Sequence, residues 1–455
     1  MPGEARTRSG VAAPLLVWAV TRTVLLLYVG KVFTMPGGLD VTSDVSVIYH
    51  GWFARLSSGT FPSDDVTWQY PPAAALAILS PGLLGGVLDY TSAFFALACA
   101  SDAVVLGLLL YASRRRGRSC PGARRAGVWA WIAGVPLLGP TAYARYDLMV
   151  TALAVAALLA AARHPRTAGT LVGLGAMVKV WPALLLLGTP RGRTTRAVWL
   201  SAAATVLVLA AGFAATMPGS LDFLTGQRGR GTEVESVGSL VLHAARHFGW
   251  EGRVLLRYGS MEFVGPGVRL VSDAAVVLTG AGFGWLLLWR LRARTWTPGT
   301  LADAALAAVL VFVVTSRVLS PQYLIWLVGL AAVCLTLRSG RQALPAWLVL
   351  VATGLTQLEF PVRFADVVAS DGLGVLVLAA RNALLVAATV LTCVRLWRST
   401  VPQAADAPDG GESADEAPRD DGAADTARDE DGTPAADARD GVPGMRGPDE
   451  KRLLT

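Results

Sequence analysis

Carboxylates and aromatic rings crowd the stretch that follows the first apolar run of the chain. Asp44 leads into Tyr49 and Trp52, and Trp68, Gln69 and Tyr70 stand just before Pro71-Pro72. An ionised carboxylate accepts protons. An aromatic ring can pack against a sugar or anchor a chain at a membrane surface. Asp44 follows closely on the apolar run from Val11 to Phe33, so it is the first candidate for a base that meets a lipid-borne substrate. Asp40, Asp64 and Asp65 compete for that role, and each of the four also reads as a solvated or helix-capping residue.

Cations form the second group. An ionisable side chain within a membrane span costs about 2.5–3.5 kcal/mol on insertion scales and usually faces a partner or a cavity. Arg22, Asp102 and Lys179 sit inside apolar runs. An ion pair accounts for the first two. Lys179, beside Trp181-Pro182, suits either a lipid phosphate or a structural role. Arg145-Tyr146-Asp147 and Arg317, followed by Gln322-Tyr323, fall at expected helix ends. Arginine is a permanent cation suited to phosphate, which makes Arg145 and Arg317 candidate phosphate ligands, with snorkelling as the structural alternative. Gln227 to Ser236 adds Glu233 and Glu235 as secondary acid/base candidates. His243 and His247 have i,i+4 spacing, but Ala244 stands where a zinc protease carries its glutamate. No bound metal or cofactor is expected. No phosphate-binding P-loop occurs, and the basic loops are too short for a nucleotide domain, so an activated substrate should be lipid-linked.

The elements that must position these residues are membrane spans. Of 455 residues 53% are hydrophobic and only 16% charged, and the mean hydropathy is +0.49, which excludes an ordinary soluble globule. Expected crossings are Val11 to Phe33, Ser92 to Ala112, Gly127 to Tyr143, Leu148 to Ala162, Ala197 to Met217, Val268 to Trp289, Thr300 to Thr315, Pro321 to Leu337, Ala343 to Leu358 and Leu373 to Val394. The fold class is therefore all-α, a polytopic transmembrane bundle of about ten crossings. Parity leaves two segments that do not cross simply. Pro71 to Gly86 reads as a re-entrant or interfacial helix, and Ala168 to Gly188 as a broken hairpin around Lys179-Val180-Trp181-Pro182.

Clusters of arginine at 114–125, 163–166, 191–196, 290–294 and 338–341 mark cytoplasmic loops. Residues 1–10 and the carboxyl-terminal segment then lie in the cytoplasm. The loops 34–70 and 218–266 lie outside, in a protein of the plasma membrane. The four cysteines (Cys99, Cys120, Cys334, Cys393) are scattered and suggest neither a disulfide frame nor a zinc site. From Val401 onward fifteen acidic residues face six basic ones, in a composition too poor in large apolar side chains to form a core. Residues 399–455 read as a disordered acidic tail. The basic excess of the remainder is membrane-flanking, so no nucleic-acid partner is expected.

Four tracts in order resemble glycosyltransferase family 87. They are Asp44 to Trp52 with Trp68-Gln69-Tyr70-Pro71-Pro72, then Arg145-Tyr146-Asp147-Leu148, then Gly175 to Pro182, then Arg317 to Tyr323. The resemblance implies a GT-C membrane fold over 11–398 and an extracytoplasmic active site. It also implies a polyprenyl-phosphate-linked sugar as donor, with mannose foremost, and an aspartate base in the first outer loop, the position that Asp44 matches. The implied reaction is inverting transfer of a hexose to a hydroxyl of a glycolipid or glycan acceptor in cell-envelope biosynthesis. Tyr49, Trp52, Trp68, Gln69, Tyr70, Arg145, Asp147, Lys179, Arg317, Gln322 and Tyr323 would bind substrate, and Asp40, Asp65 and Glu233 would be reserve acid/base groups. The alternative is a transporter or flippase of a lipid-linked saccharide, since broken helices and midplane charges also serve transport. A scaffold acting through the acidic tail is a third reading.

Overall fold

The structure, a computed structural model, describes residues 3–115, 125–226, 230–297, 299–337 and 340–402. Cys120, parts of the basic clusters around 114–125 and 338–341, and the tail from 403 lie outside the described residues. In chain order the helices are α1 (Gly3–Val29), α2 (His50–Ser57), α3 (Ala74–Leu79), α4 (Tyr90–Arg115), α5 (Ala126–Leu137), α6 (Asp147–Ala160) and α7 (Pro165–Val178). They continue with α8 (Arg193–Thr216), α9 (Phe223–Gly226), α10 (Ser239–Arg246), α11 (Val268–Arg292), α12 (Thr300–Thr315), α13 (Tyr323–Thr336), α14 (Ala343–Gln357), α15 (Phe364–Ala369) and α16 (Gly372–Thr400). Each of the ten expected crossings is represented by one of these helices.

Among the described residues six helical segments are long and apolar enough to cross a membrane, while α5, α6, α12 and α13 are shorter apolar helices. Position in the bundle explains the difference. The crossing stretches of α1, α8 and α11 are only 17%, 11% and 17% buried, so they form the perimeter and must match the hydrocarbon thickness. Residues along every side of α12 and α13 are buried, as expected for central helices that meet protein all round. Their ends abut polar elements of the bundle instead of lipid.

The 71–86 segment is α3 followed by a 3₁₀ turn, Ser80–Leu84. Its length is roughly 19 Å, short of the ~30 Å hydrocarbon core. The 168–188 segment is a hairpin. α7 ends at Lys179, whose backbone is extended, and a 3₁₀ helix, Trp181–Gly188, runs back. Pro182 has no N–H to continue the helix, which fixes the break there. Gly169 and Gly173, four residues apart, let α7 lie close along α8: a Cβ on either would come within 2.2 Å and 2.6 Å of the carbonyl oxygens of Val198 and Ala202.

At one end of the bundle basic residues tie helices together. Arg191 donates to the carbonyls of Arg290 and Leu291, and Arg395 donates to that of Arg341. The other end carries the segments 30–70 and 218–266. Two features of these segments depart from the sequence reading. Residues 44–57 are helical, a π-turn Asp44–Tyr49 running into α2. The 218–266 segment holds a small antiparallel sheet in the order β1 (Thr232–Glu233), β3 (Ser260–Val264), β2 (Arg253–Arg257).

Arg22 and Asp102 form the ion pair expected of them, Nε to Oδ2 at 2.7 Å, with side chains 1% and 0% exposed. Trp18, Trp131 and Tyr143 also donate to the Asp102 carboxylate, and Arg22 donates to the Ile132 carbonyl. Removing one partner strands a buried charge. Asp102→Ala is expected to cost about 3–5 kcal/mol, and the paired change Arg22→Met with Asp102→Leu much less. Unfolding of the detergent-solubilised variants measures both, and equal losses would contradict the pairing energetics.

Candidate active site

Asp44 opens its π-turn and points its Oδ2 at Arg145 Nη2, 2.7 Å away. Arg145 is held in place because its Nη1 also donates to the carbonyls of Val41 and Ala144. The Asp44 side chain is 32% exposed, and among the described residues its Oδ1 has no hydrogen-bond partner. The neighbouring carboxylates are engaged differently. Asp40 pairs with Lys31 and accepts from the N–H and hydroxyl of Thr42. Asp65 accepts from Thr67 through Oδ1 and from the Trp52 indole through Oδ2. Burial pulls both groups upward, but these hydrogen bonds hold them below the usual carboxylate range. Asp64 pairs with Arg55 on the surface.

Tyr49, Trp52 and Trp68 are buried, at 2%, 4% and 6% exposed. Tyr49 stacks on Trp52, and Trp68 meets Trp52 and Phe61 edge-on. The open sugar-stacking surface suggested for these rings is therefore not what they form: the apolar faces are spent on one another, and Trp52 and Trp68 meet Tyr70 edge-on. Gln69 donates to the Val66 carbonyl, and Gln322 is half-buried at the start of α13.

Lys179, at the apex of the hairpin, reaches back to Asp147 at the first turn of α6, with Nζ 2.8 Å and 2.9 Å from the two carboxylate oxygens. Trp326 Nε1 donates to the same carboxylate at 2.6 Å. The ammonium lies 5.1–5.7 Å from the ring centres of Trp326, Tyr146, Tyr70 and Tyr323, an arrangement that compensates a buried cation. Tyr323 stacks on Trp326 at 4.1 Å, and Trp326 on Trp181 at 5.2 Å. This pair and its cage form a floor.

A second wall rises from the 230–264 segment. The Glu233 N–H donates to the Arg317 carbonyl, and the Glu233 carboxylate accepts from the Leu319 N–H at 2.6 Å and the Ser320 hydroxyl at 3.1 Å. Arg317 donates to the Arg230 carbonyl. Arg230 in turn pairs with Glu262 at 3.2 Å and donates to Ser260. Two guanidinium groups thus share one corner. The Tyr70 hydroxyl lies within electrostatic reach of Asp147, Asp44, Arg145 and Arg230; burial and the carboxylates push it up to about 12. Carboxylate, aromatic and arginine groups thus gather around Tyr70 in one candidate site.

Glu235 lies within reach of Glu359, which pairs with the fully buried Arg381 at 3.2 Å. Burial, then repulsion from Glu359 and Glu233, drives Glu235 well above the carboxylate range. His243 spends both ring nitrogens, on Ser370 and on the Val234 carbonyl.

Sequence reasoning did not single out Arg230, Glu262 or Trp326. Arg230 sits in the polar run ending at Ser236, and that run was the available signal. Glu262 and Trp326 gave none, because their partners lie 32 and 179 residues away.

Glu233 is fully buried, and burial outweighs Arg230 and its two hydrogen bonds to raise its pKa to about 7. A carboxyl raised on folding stabilises the fold below its unfolded value near 4.5, and that contribution is lost as pH rises through about 7. Glu233→Gln stays neutral, so it should flatten this part of the decline in unfolding temperature between those two pH values. An unchanged slope in the variant would show that Glu233 does not titrate there.

The crystal structure of ArnT from Cupriavidus metallidurans bound to undecaprenyl phosphate superposes with a TM-score of 0.42, at 15% identity over 87% of this chain and 77% of that one. None of the curated protein sequences matches the chain. The sequence model of Glycosyltransferase family 87 matches residues 68–321, a stretch that contains Arg145, Asp147, Lys179, Arg230, Glu233 and Arg317 but begins after Asp44. That match covers more than half of the sequence, and the chain belongs to glycosyltransferase family 87.

Proposed function

We propose that this site transfers a hexose, mannose in the first instance, from a polyprenyl-phosphate carrier to a hydroxyl of a glycolipid or glycan acceptor. The observation that carries this reading is the gathering around Tyr70 of a partly exposed carboxylate with one oxygen to spare and of Arg230, which is joined to Arg317. Asp44 Oδ1 accepts the proton of the acceptor hydroxyl as that oxygen attacks the anomeric carbon. The bond from that carbon to the phosphate oxygen breaks on the opposite face, so the configuration inverts. Arg230 and Arg317 stabilise the charge gained by the departing lipid phosphate, the role that fixed cations fill in such steps.

Arg145 orients Asp44 in this scheme. Lys179 is committed to Asp147, so it positions Tyr70, Tyr146 and Tyr323 and does not bind phosphate itself. Glu233 fastens the arginine wall to the start of α13. The reaction is written with protein groups alone, and addition of a chelator should leave the rate unchanged. The positive-inside rule supports an extracytoplasmic cleft, since the opposite end of the bundle carries the arginine clusters.

Purified protein in nanodiscs, given radiolabelled polyprenyl-phosphate-mannose and a panel of membrane lipids, tests the reading. Label should pass into a new lipid. Asp44→Asn should slow transfer by about 10²–10⁴-fold with little change in donor KM, and Arg230→Gln should raise donor KM. Movement of intact donor across the bilayer without transfer would favour transport instead.

A further inference from the structure

Strands β2 and β3 are joined at Arg257 and Ser260 by a turn of two residues, Tyr258 and Gly259. Both have positive φ, +52° and +76°. That is the tight hairpin turn in which asparagine and glycine are preferred, because a side chain with a Cβ is crowded there. Gly259 suits its position. Tyr258 does not, so its side chain is retained against the preference of the backbone.

The surroundings of the ring indicate its use. The Arg230 guanidinium lies 5.9 Å from the ring centre, and the phenol is within electrostatic reach of Arg317. Arg230 is itself pinned by Glu262 and Ser260, so the ring has a fixed support. A Cβ placed on Gly259 would lie 3.9 Å from that of Thr67, and Thr67 leads directly into Trp68, Gln69 and Tyr70. The tip of the hairpin thus bridges from the arginine wall to the segment that carries Tyr70. The ring itself is only half-buried.

We propose that Tyr258 is the platform on which the transferred hexose of the donor stacks. The inference rests on the reading that Arg230 and Arg317 hold the carrier phosphate. In a sugar phosphate the hexose is bonded directly to the phosphate oxygen, so a ring mounted on the phosphate-holding guanidinium lies within one sugar's width of the anomeric carbon. The apolar C–H face of a pyranose packs on an aromatic face, and the Arg230 support sets the height at which it does so. Tyr258 would then help select the sugar, while the acceptor docks on the Asp44 side.

Tyr258→Asn gives a clean test, since Asn-Gly suits this turn better than Tyr-Gly. The variant should keep or raise the unfolding temperature while donor KM rises roughly tenfold and acceptor KM stays put. Tyr258→Phe should behave as wild type, and Tyr258→Gly should repeat the asparagine result. A wild-type donor KM in the asparagine variant, a rise confined to acceptor KM, or a lowered unfolding temperature would each overturn the platform. Arg230→Gln separates the two levels. If it leaves donor KM unchanged, the phosphate reading falls. If it raises donor KM while Tyr258→Asn does not, the platform alone falls.

Discussion

The ion pair between Asp147 and Lys179 is the constraint on which the site depends. It joins the first turn of α6 to the apex of a hairpin, two points 32 residues apart in sequence. A buried pair of this kind adds little net stability, because both ions lose their water. It acts through geometry instead. With the ammonium fixed, four aromatic rings gather around it, and Arg145, two residues before Asp147, is brought to Asp44. The carboxylate wall and the aromatic floor thus share one anchor.

The arginine wall has a separate origin. It belongs to a segment between α8 and α11, fastened to the start of α13 through the Glu233 carboxylate and backbone. Glu262 and Ser260 on β3 then hold Arg230. The small sheet is stiff backing for one side chain more than it is a folding unit: β1 has two residues and pairs with β3. Both groups are tied to α13 or its approach, the first through Trp326 and Asp147 and the second through Glu233 and Leu319, so the site forms only when the bundle is assembled.

Much of the bundle was legible because membrane solvent imposes a simple rule on composition. Thr300–Thr315 is helical over the span expected of it, and the break at Lys179 follows from Pro182. The pairing of Arg22 with Asp102 was readable because two lone charges in apolar runs need each other. The sheet was not readable. Residues 232 and 263 pair across an interval that leaves no local period, and helical stretches around 44–57 are too short to show one. The burial of Tyr49, Trp52 and Trp68 was hidden for another reason: ring types announce an interface, but not whether they face it or one another. Arg230 was passed over for the same reason that Glu262 was, since the significance of each lies in a distant partner.

The brevity of the central helices has a consequence for where a substrate must travel. α12 and α13 have 16 and 14 residues, or roughly 24 Å and 21 Å against a hydrocarbon thickness of ~30 Å. Near the arginine-rich end α12 packs against the returning 3₁₀ helix, with Leu301 close to Gly188. At the other end the remaining thickness is taken up by polar chain, the Arg317, Leu319 and Ser320 segment tied to Glu233 just ahead of α13. Under the proposed transfer, a carrier's head group would therefore meet its polar ligands without leaving the depth of the bilayer.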